Sequence, residues 1–337
     1  MIPIRSDDPS PQDAGAPAPP DLAIHTRGLS KHYRHPWTLR VTRGLTDLDL
    51  DIGRGEIFGY LGPNGAGKTT TIKLLMGLLR PTAGAGWLLG EPIGTEDSRR
   101  RIGFLPEQPY FYDSLTGPEY LEFAGRLSGL GAQQATERAR HWIGRVGLGA
   151  RPRLALRKYS KGMLQRLGLA AALIHDPDLL ILDEPMSGLD PFGRRDVREL
   201  ILEQRQRGVT VMLSSHILPD VEMLCDRVAV VLGGSLVRTA TVNELVGSQQ
   251  QRVEIRCVGA PLVAIPPRWH GCIERLELPE GTTFVLNDER EVNDVLAWLL
   301  GTGATLRAVT PQRASLEDFF LAVAESQDLP ERQRRSA

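Results

Sequence analysis

The residues best suited to chemistry form a glycine-rich loop that ends in lysine and threonine. It fits the pattern G-x-x-x-x-G-K-S/T and consists of Gly62, Pro63, Asn64, Gly65, Ala66, Gly67, Lys68 and Thr69, followed by Thr70. Its glycines allow backbone N–H groups to curl around a phosphate chain, and the helix that follows adds partial positive charge. Lys68 would neutralise the β and γ phosphates, while Thr69 would offer its hydroxyl to Mg²⁺. The pattern and its flanks disfavour the alternative, a glycine-rich turn that binds nothing.

A second candidate is an apolar strand that runs out into two adjacent carboxylates. Residues 179–182 are all Leu or Ile, and Asp183 and Glu184 follow them. Because adjacent residues of a strand point to opposite sides, the two carboxylates should do different work. Asp183 suits the Mg²⁺ shell, through a water molecule, and Glu184 suits polarising the attacking water. An acidic loop after a core strand is the alternative, which the phosphate loop upstream disfavours.

These two motifs and a third segment together resemble the nucleotide-binding domain of ABC transporters. The phosphate loop corresponds to that family's Walker A motif, and the strand ending in Asp183 and Glu184 corresponds to Walker B. Residues 187–191, Ser-Gly-Leu-Asp-Pro, follow as they do in the family. The resemblance covers about residues 22–245 and implies ATP hydrolysis with Mg²⁺, with Asp190 among the nucleotide contacts.

The family's signature sequence, LSGGQ, is matched in degenerate form by residues 159–163, Tyr-Ser-Lys-Gly-Met. The resemblance gives Ser160 and Gly162 contacts to the γ phosphate through a hydroxyl and a backbone amide. Lys161 and Met163 depart from the family pattern. In the family, the signature of one subunit completes the nucleotide site of another, and this chain has one of each motif. The resemblance therefore implies a head-to-tail dimer with a second copy or a paralogue, and a C2 homodimer is the default expectation.

A histidine and three further side chains take their roles from the resemblance alone. His216 stands where the family has a switch histidine that contacts the γ phosphate, and with Lys68 and Glu184 it completes the expected catalytic set.

Tyr33 resembles the aromatic residue that stacks on adenine, an interaction worth about 1–3 kcal/mol, although it could equally be a packing residue. Glu107 aligns with a glutamine that reaches Mg²⁺ in the family, and Gln108 follows one residue later. A carboxylate ligates Mg²⁺ as well as an amide does, so either side chain is a candidate ligand.

The order of elements should bring these residues to one edge of a sheet. Short apolar strands such as 57–60 alternate with helical segments such as 68–79 and 195–207, which predicts right-handed βαβ units and a buried, mostly parallel sheet. Residues 112–158 contain helix-period stretches and hardly any strand pattern, which predicts an inserted helical subdomain. The predicted fold class is therefore α/β, a P-loop NTPase core with this insertion and a small C-terminal α+β domain.

Changes in pattern along the chain predict its organisation. Val253, Ile255 and Cys257 alternate with polar residues as in a half-buried strand, and Ser315 with Asp318 has capping-box spacing for a last helix. The N-terminal stretch is rich in Pro, Ala and Asp without periodicity, which is typical of disorder. The expected segments are a disordered leader at 1–21, an ATPase domain at 22–245 with its helical subdomain at 112–158, an α+β domain at 250–326 and a polar tail at 327–337.

Composition narrows the class of protein. The 337 residues are 41% hydrophobic and 24% charged, as in globular proteins, and the net charge of −1 gives no field that would gather nucleic acid. No apolar run approaches the roughly 18–20 residues that span a bilayer. The three cysteines lack metal-ligand spacing and are expected to be buried in a reducing compartment. We expect a cytoplasmic protein that is peripheral on the inner face of the cell membrane.

Within the family, the sequence resembles bacterial exporter subunits for drugs, lipids and polysaccharides. The resemblance lies in the motifs at residues 102–107, in the signature and in residues 314–320. The expected partner is then a separate integral membrane permease. Tyr110, Phe111 and Tyr112 either line the groove that receives a helix of that permease in the family or pack inward. The alternative function is a non-transport ABC ATPase acting on nucleic acid or the ribosome. It is disfavoured because the sequence has no long heptad coiled coil, second cassette or basic stripe.

Overall fold

The described part of the chain forms two compact units, which are divided between Ala240 and Thr241. The computed structural model describes residues 19–34, 41–150, 152–247, 252–259, 265–278, 281–286, 289–312, 316–317 and 319. Most of the predicted leader, the predicted tail and the capping box at Ser315 and Asp318 lie outside these residues. The domain bounds given above stay a prediction.

A six-stranded sheet forms the centre of the first unit. Its strands are β3 (Ile57–Leu61), β6 (Ile102–Leu105), β7 (Leu179–Asp183), β8 (Thr210–Ser215), β9 (Arg227–Leu232) and β10 (Ser235–Thr241), in the order β10-β9-β3-β8-β7-β6. The pairs β9–β3, β3–β8, β8–β7 and β7–β6 are parallel. Every residue of β3, β7 and β8 is buried, as expected of apolar runs in a sheet covered on both faces. The predicted parallel sheet is confirmed.

A second, antiparallel sheet in this unit was not predicted. It contains β1 (Leu22–Arg34), β2 (Val41–Gly53), β4 (Ala83–Leu88) and β5 (Glu91–Pro92), in the order β2-β1-β4-β5. Repeated register shifts between β1 and β2 interrupt the alternation of side chains that would have identified long strands. One hydrophobic cluster joins both sheets to the first helix through residues such as Leu29, Leu48, Phe58, Ile72 and Ile181.

Seven helices are described in the first unit. They are α1 (Lys68–Leu75), α2 (Glu96–Arg100), α3 (Gly117–Leu127), α4 (Ala132–Arg145), α5 (Lys161–Leu173), α6 (Pro191–Gln206) and α7 (Leu218–Leu224). Helices α3 and α4 lie within the predicted helical insertion and contact each other and α5, which follows it, and the bounds 112–158 stay a prediction. Helix α1 ends earlier than predicted because Gly77 adopts a left-handed φ of 67°. Helix α6 begins earlier than predicted because Asp190 caps it and Pro191 occupies the first helical position. No helix among the described residues has the length and apolarity to cross a membrane.

The second unit is a small α+β structure. It contains α8 (Val242–Gly247), β11 (Arg252–Val258), β12 (Ile273–Leu278), β13 (Gly281–Leu286), α9 (Val292–Gly301) and β14 (Thr305–Gln312), with the antiparallel strand order β12-β13-β11-β14. Val253, Ile255 and Cys257 are buried on β11, as the alternation predicted. The expectation for cysteines is wrong for Cys272, which is exposed on the turn before β12.

Candidate functional site

The predicted site residues follow four neighbouring parallel strands. The glycine-rich loop comes after β3, Glu107 after β6, Glu184 after β7 and His216 after β8. Because these strands run in parallel, their carboxyl ends share one edge of the sheet. Ligands of open α/β sheets bind in the crevice outside the carboxyl ends of the strands.

Backbone packing explains the two outer glycines of the loop. Gly67 precedes α1 with a left-handed φ of 104°, and a Cβ atom there would lie 2.6 Å from the carbonyl oxygen of Gly44. A Cβ atom at Gly62 would lie 2.5 Å from the carbonyl oxygen of Val231. Both distances are too short for any side chain, so only glycine lets the loop lie against β2 and β9.

The rest of the loop is open on one side and anchored on the other. Pro63, Asn64 and Gly65 are exposed, whereas Ala66 is buried and its carbonyl oxygen accepts a 3.0 Å hydrogen bond from the N–H of Gly234. Behind the loop, the Tyr60 hydroxyl lies 3.0 Å from the Thr71 hydroxyl and ties β3 to α1. Burial raises the pKa of Tyr60, so this hydroxyl stays protonated. The loop is thus anchored to the protein at Ala66 and accessible to solvent at Pro63, Asn64 and Gly65.

Lys68, the first residue of α1, is buried with its ammonium group close to three oxygen acceptors, one of them the carbonyl oxygen of Pro63 at 3.4 Å. Its Nζ donates a 2.6 Å hydrogen bond to the carbonyl oxygen of Gly62 and lies 3.6 Å from Oε1 of Glu184. A buried ammonium needs such partners because removal from water is costly. Phosphate oxygens held by the loop would be further anionic partners of the same group.

Glu184 has an unusual backbone that buried hydrogen bonds hold in place. Its φ is 51°, in the left-handed region, which costs a residue with a long side chain about 1–3 kcal/mol. The N–H of Glu184 donates to the Ser214 hydroxyl oxygen at 3.0 Å, and that hydroxyl donates to Oδ1 of Asp183 at 2.6 Å. Ser214 therefore ties Asp183, the last residue of β7, and Glu184, which follows it, to the neighbouring strand β8. The sequence interpretation missed this role, although a serine at the end of an otherwise apolar strand was its signal.

His216 contacts the carboxylate that was predicted to polarise water. Its Nδ1 lies 2.8 Å from Oε2 of Glu184, and 52% of the imidazole side chain is exposed. Glu184 thus has Lys68 beside one carboxylate oxygen and His216 beside the other. The structure brings the three predicted catalytic residues into one cluster, in which the carboxylate has a fixed direction and can accept a proton.

The predicted metal ligands differ in their surroundings. Asp183 is buried at the end of β7 and Thr69 is half-buried in the first turn of α1, whereas Glu107 and Gln108 are both exposed after β6. Among the described residues, no group of three or more His, Cys, Asp or Glu side chains could hold a metal ion. Mg²⁺ at a phosphate site takes one or two protein ligands together with phosphate and water, so a hydroxyl and a carboxylate fit that ion.

Tyr33 lies against the helix that follows the phosphate loop. Its hydroxyl is 3.3 Å from the Thr70 hydroxyl, and the Lys31 ammonium lies 5.8 Å from the ring centroid. A Cβ atom at Gly44 would come within 2.5 Å of the ring, so this glycine allows the tyrosine to pack closely. The ring is partly exposed beside Thr70, as stacking on a base requires, and the adenine contact stays a prediction.

The predicted γ-phosphate contacts of the signature lie at helix starts. The Ser160 hydroxyl accepts a 3.3 Å hydrogen bond from the N–H of Met163 and caps α5, and Gly162 follows in the first turn. A carboxylate oxygen of Asp190 accepts a 2.8 Å hydrogen bond from the N–H of Gly193 and caps α6. Ser160 and Asp190 are both exposed. Their contacts to a nucleotide stay predictions.

Three neighbouring aromatic residues follow β6 and do not share one environment. Phe111 is 7% exposed and packs edge-on against Tyr120, with 4.9 Å between ring centroids. Tyr110 and Tyr112 are 87% and 53% exposed. The hypothesis that all three line a groove is therefore wrong for Phe111, which belongs to the subdomain core.

Comparisons with known proteins point to one family. The family model described as ABC transporter matches residues 45–187. An ABC transporter ATP-binding protein of Synechocystis is 40% identical over 310 residues, covering 88% of this chain and 83% of that protein. The Nod factor export ATP-binding protein I of Cupriavidus metallidurans is 36% identical over 277 residues, covering 82% and 90%.

A solved structure has the same fold. It is an ATP-binding cassette in a dimeric, post-hydrolysis state bound to ADP and Pi, and it aligns with a TM-score of 0.60 over 65% of this chain and 98% of that chain, at 23% identity. The geometry of the glycine-rich loop agrees with these matches, as does the cluster formed by Lys68, Glu184 and His216. The chain belongs to the ABC transporter family, as an ATP-binding subunit with ATPase activity.

Proposed function

We propose that this ATPase powers export through a separate membrane-spanning permease, on the cytoplasmic face of the cell membrane. Its relative from Cupriavidus is named for Nod factor export, and the match spans most of both chains. Export by this chain would place ATP hydrolysis in one polypeptide and the substrate path in another.

The observation that carries the proposal is an exposed aromatic patch on the helical subdomain, formed by Tyr110, Tyr112 and Phe123. Tyr112 stacks edge-on with both other rings, at centroid distances of 6.5 Å to Tyr110 and 5.4 Å to Phe123. All three rings are exposed. Clustered exposed aromatic side chains are typical of protein–protein contacts, where they supply large apolar area at little cost in conformational entropy.

The position of the patch supports its use in coupling. Tyr110 and Tyr112 belong to the segment that begins with Glu107 and Gln108 at the end of β6, and Phe123 lies on α3. A protein bound at this patch would therefore contact the segment that leads directly to the carboxyl edge of the sheet. Changes at the nucleotide site and at the patch can then be linked through a few residues of backbone.

A double variant tests the patch. Tyr110→Ser with Tyr112→Ser should leave the basal ATPase rate within about twofold, because both side chains are exposed and surface substitutions rarely change stability by more than about 0.5 kcal/mol. Co-expression with the candidate permease from the same genome should then give no co-purification, whereas the wild-type chain co-purifies. Phe111→Ser is the contrast, since it should destabilise the subdomain itself. Unchanged co-purification of the double variant would contradict the proposal.

We further propose that two copies of the chain assemble head to tail around ATP, with Thr69 and Asp183 holding Mg²⁺. Ser160 and Asp190 support this arrangement because both are exposed at helix starts, where N–H groups favour an anion. The solved cassette with the same fold is dimeric. In a C2 pair, one isologous interface would generate both composite sites.

A further inference from the structure

Helix α5 carries a buried glutamine that the catalytic set above does not include. Gln165 is 3% exposed, and its side-chain amide donates a 3.0 Å hydrogen bond to the carbonyl oxygen of Pro185. The same nitrogen lies 3.5 Å from the carbonyl oxygen of Glu184. Burying a polar group without a partner costs free energy, so the Gln165 amide and the carbonyl oxygen of Pro185 both depend on this contact.

The contact completes a clamp on the residue with the left-handed backbone. On the N-terminal side, the N–H of Glu184 donates to Ser214 of β8. On the C-terminal side, the carbonyl groups of Glu184 and Pro185 face the Gln165 amide from α5. A residue at φ 51° persists only where the surroundings over-determine its conformation. Two buried side chains from two different elements supply that constraint here.

The first turns of α5 also lie against the loop that follows Glu184. A Cβ atom on Gly162 would lie 3.3 Å from Cδ2 of Leu189. The Lys161 side chain runs so close to Gly188, at φ 72°, that a Cβ atom there would lie 2.7 Å from its last carbon atoms and its ammonium nitrogen. Helix α5 and the loop are therefore in contact at both the signature end and Gln165.

We propose that Gln165 is a positioning residue for hydrolysis, which fixes the direction of the Glu184 carboxylate and ties it to the helix that begins at the signature. The tie to the signature rests on the proposed function, in which Ser160 meets the nucleotide of the other subunit. A rotation of α5 would then be transmitted to the Glu184 and Pro185 carbonyl groups of the same chain. Gln165 is buried against the Glu184 and Pro185 carbonyl groups, and its effect on hydrolysis passes through Glu184.

A kinetic split distinguishes positioning from a merely structural role. Gln165→Leu preserves bulk but cannot donate, so Glu184 loses one side of its clamp. We expect kcat to fall about tenfold or more, because a displacement of about 1 Å can cost up to about 100-fold in rate. The KM for ATP should stay within about threefold, because the phosphate loop and Lys68 are untouched. Gln204→Leu is the matched control, since Gln204 is also 3% exposed but lies on α6.

Two further measurements keep the outcomes separate. Thermal unfolding of Gln165→Leu and Gln204→Leu shows whether lost kcat merely follows lost stability, and equal kcat in the two variants would overturn the proposal.

Glu184→Gln, with and without Gln165→Leu, is also run on size-exclusion chromatography with ATP and Mg²⁺. Retention of the ATP-dependent dimer alongside the kcat loss supports the positioning role. If Glu184→Gln alone forms no dimer, the head-to-tail proposal and the tie to the signature fail, whereas the Gln165–Glu184 link is still judged by kcat.

Discussion

Two groups of predicted site residues differ in burial: the phosphate side, which consists of Lys68, Asp183 and Glu184, and the signature side, which consists of Ser160 and Asp190. Lys68, Asp183 and Glu184 are buried, and each has partners within the chain. Ser160 and Asp190 are exposed, and each caps the helix that it begins. The phosphate side is thus held in place by contacts within the chain, whereas the signature side leaves its capping groups accessible to a ligand from outside.

This difference would allow one chain to contribute to two nucleotide sites, its own and that of a second subunit. Buried charges need precise partners, so the catalytic cluster depends on long-range packing within the chain. Helix caps need only local hydrogen bonds, so the signature can face solvent at no such cost. Substitutions on the phosphate side should therefore act strongly on chemistry within the chain, and substitutions on the signature side should act through assembly.

Glu184→Gln should have the largest effect. The amide cannot accept the proton of the attacking water, and loss of a general base lowers rates by about 10²–10⁴-fold. ATP binding should be preserved because Lys68 and the loop are intact, and the dimer should persist on size-exclusion chromatography with ATP. Glu199→Gln, at an exposed position of α6, is the control. A fully active, monomeric Glu184→Gln protein would contradict both the catalytic role and the dimer.

Lys68→Ala should mainly abolish tight nucleotide binding. Truncating one member of a buried, hydrogen-bonded charge pair costs on the order of 2–5 kcal/mol, which is about 30-fold or more in affinity. Isothermal titration with ATP and Mg²⁺ measures the change. Lys73→Ala, in the last turn of the same helix and exposed, should bind normally. An affinity of Lys68→Ala within a few-fold of the wild type would refute the phosphate-loop interpretation.

His216→Ala should slow hydrolysis without preventing binding. Glu184 would lose the partner of one oxygen, and hydrogen bonds to charged groups are worth about 1.5–3 kcal/mol. We expect kcat to fall roughly tenfold with ATP affinity within about threefold. Steady-state ATPase assays on His216→Ala and on His141→Ala, an exposed histidine of α4, make the comparison. Unchanged hydrolysis would leave His216 with a structural role only.

Ser160→Ala should have the smallest effect on the chain itself. Loss of an N-cap costs about 1 kcal/mol of stability, and Thr95→Ala, which removes the cap of α2, should cost a similar amount. Urea unfolding measures both. Only Ser160→Ala should also weaken ATP-dependent dimerisation in the Glu184→Gln background. Equal behaviour of the two variants in that assay would remove the signature assignment.

Local patterns predicted most of the parallel sheet and the phosphate loop. The glycines at 62 and 67 and the strand ending in Asp183 carry their constraints within a few residues, so spacing alone indicates them. The tie between Ser214 and Asp183 and the contact of Gln165 with Pro185 join residues 31 and 20 positions apart. Such hydrogen bonds arise only from tertiary packing, which neither periodicity nor spacing encodes.

The aromatic run after β6 illustrates a second limit. Tyr110, Phe111 and Tyr112 lie in a segment without regular structure, where no period fixes which side chain turns inward. Packing against Tyr120 decides that it is Phe111. The long β1 and β2 were missed for a related reason, since register shifts broke the alternation that reveals a strand.

The backbone and the side chain at position 184 place opposite demands on the residue there. Glycine fits a φ of 51° without a Cβ penalty, so the backbone alone favours Gly over Glu. The proposed role in hydrolysis, however, needs the carboxylate. Glycine would therefore relieve the backbone strain but would leave the buried Lys68 ammonium without one of its partners, so position 184 combines a strained backbone with a side chain that its surroundings require.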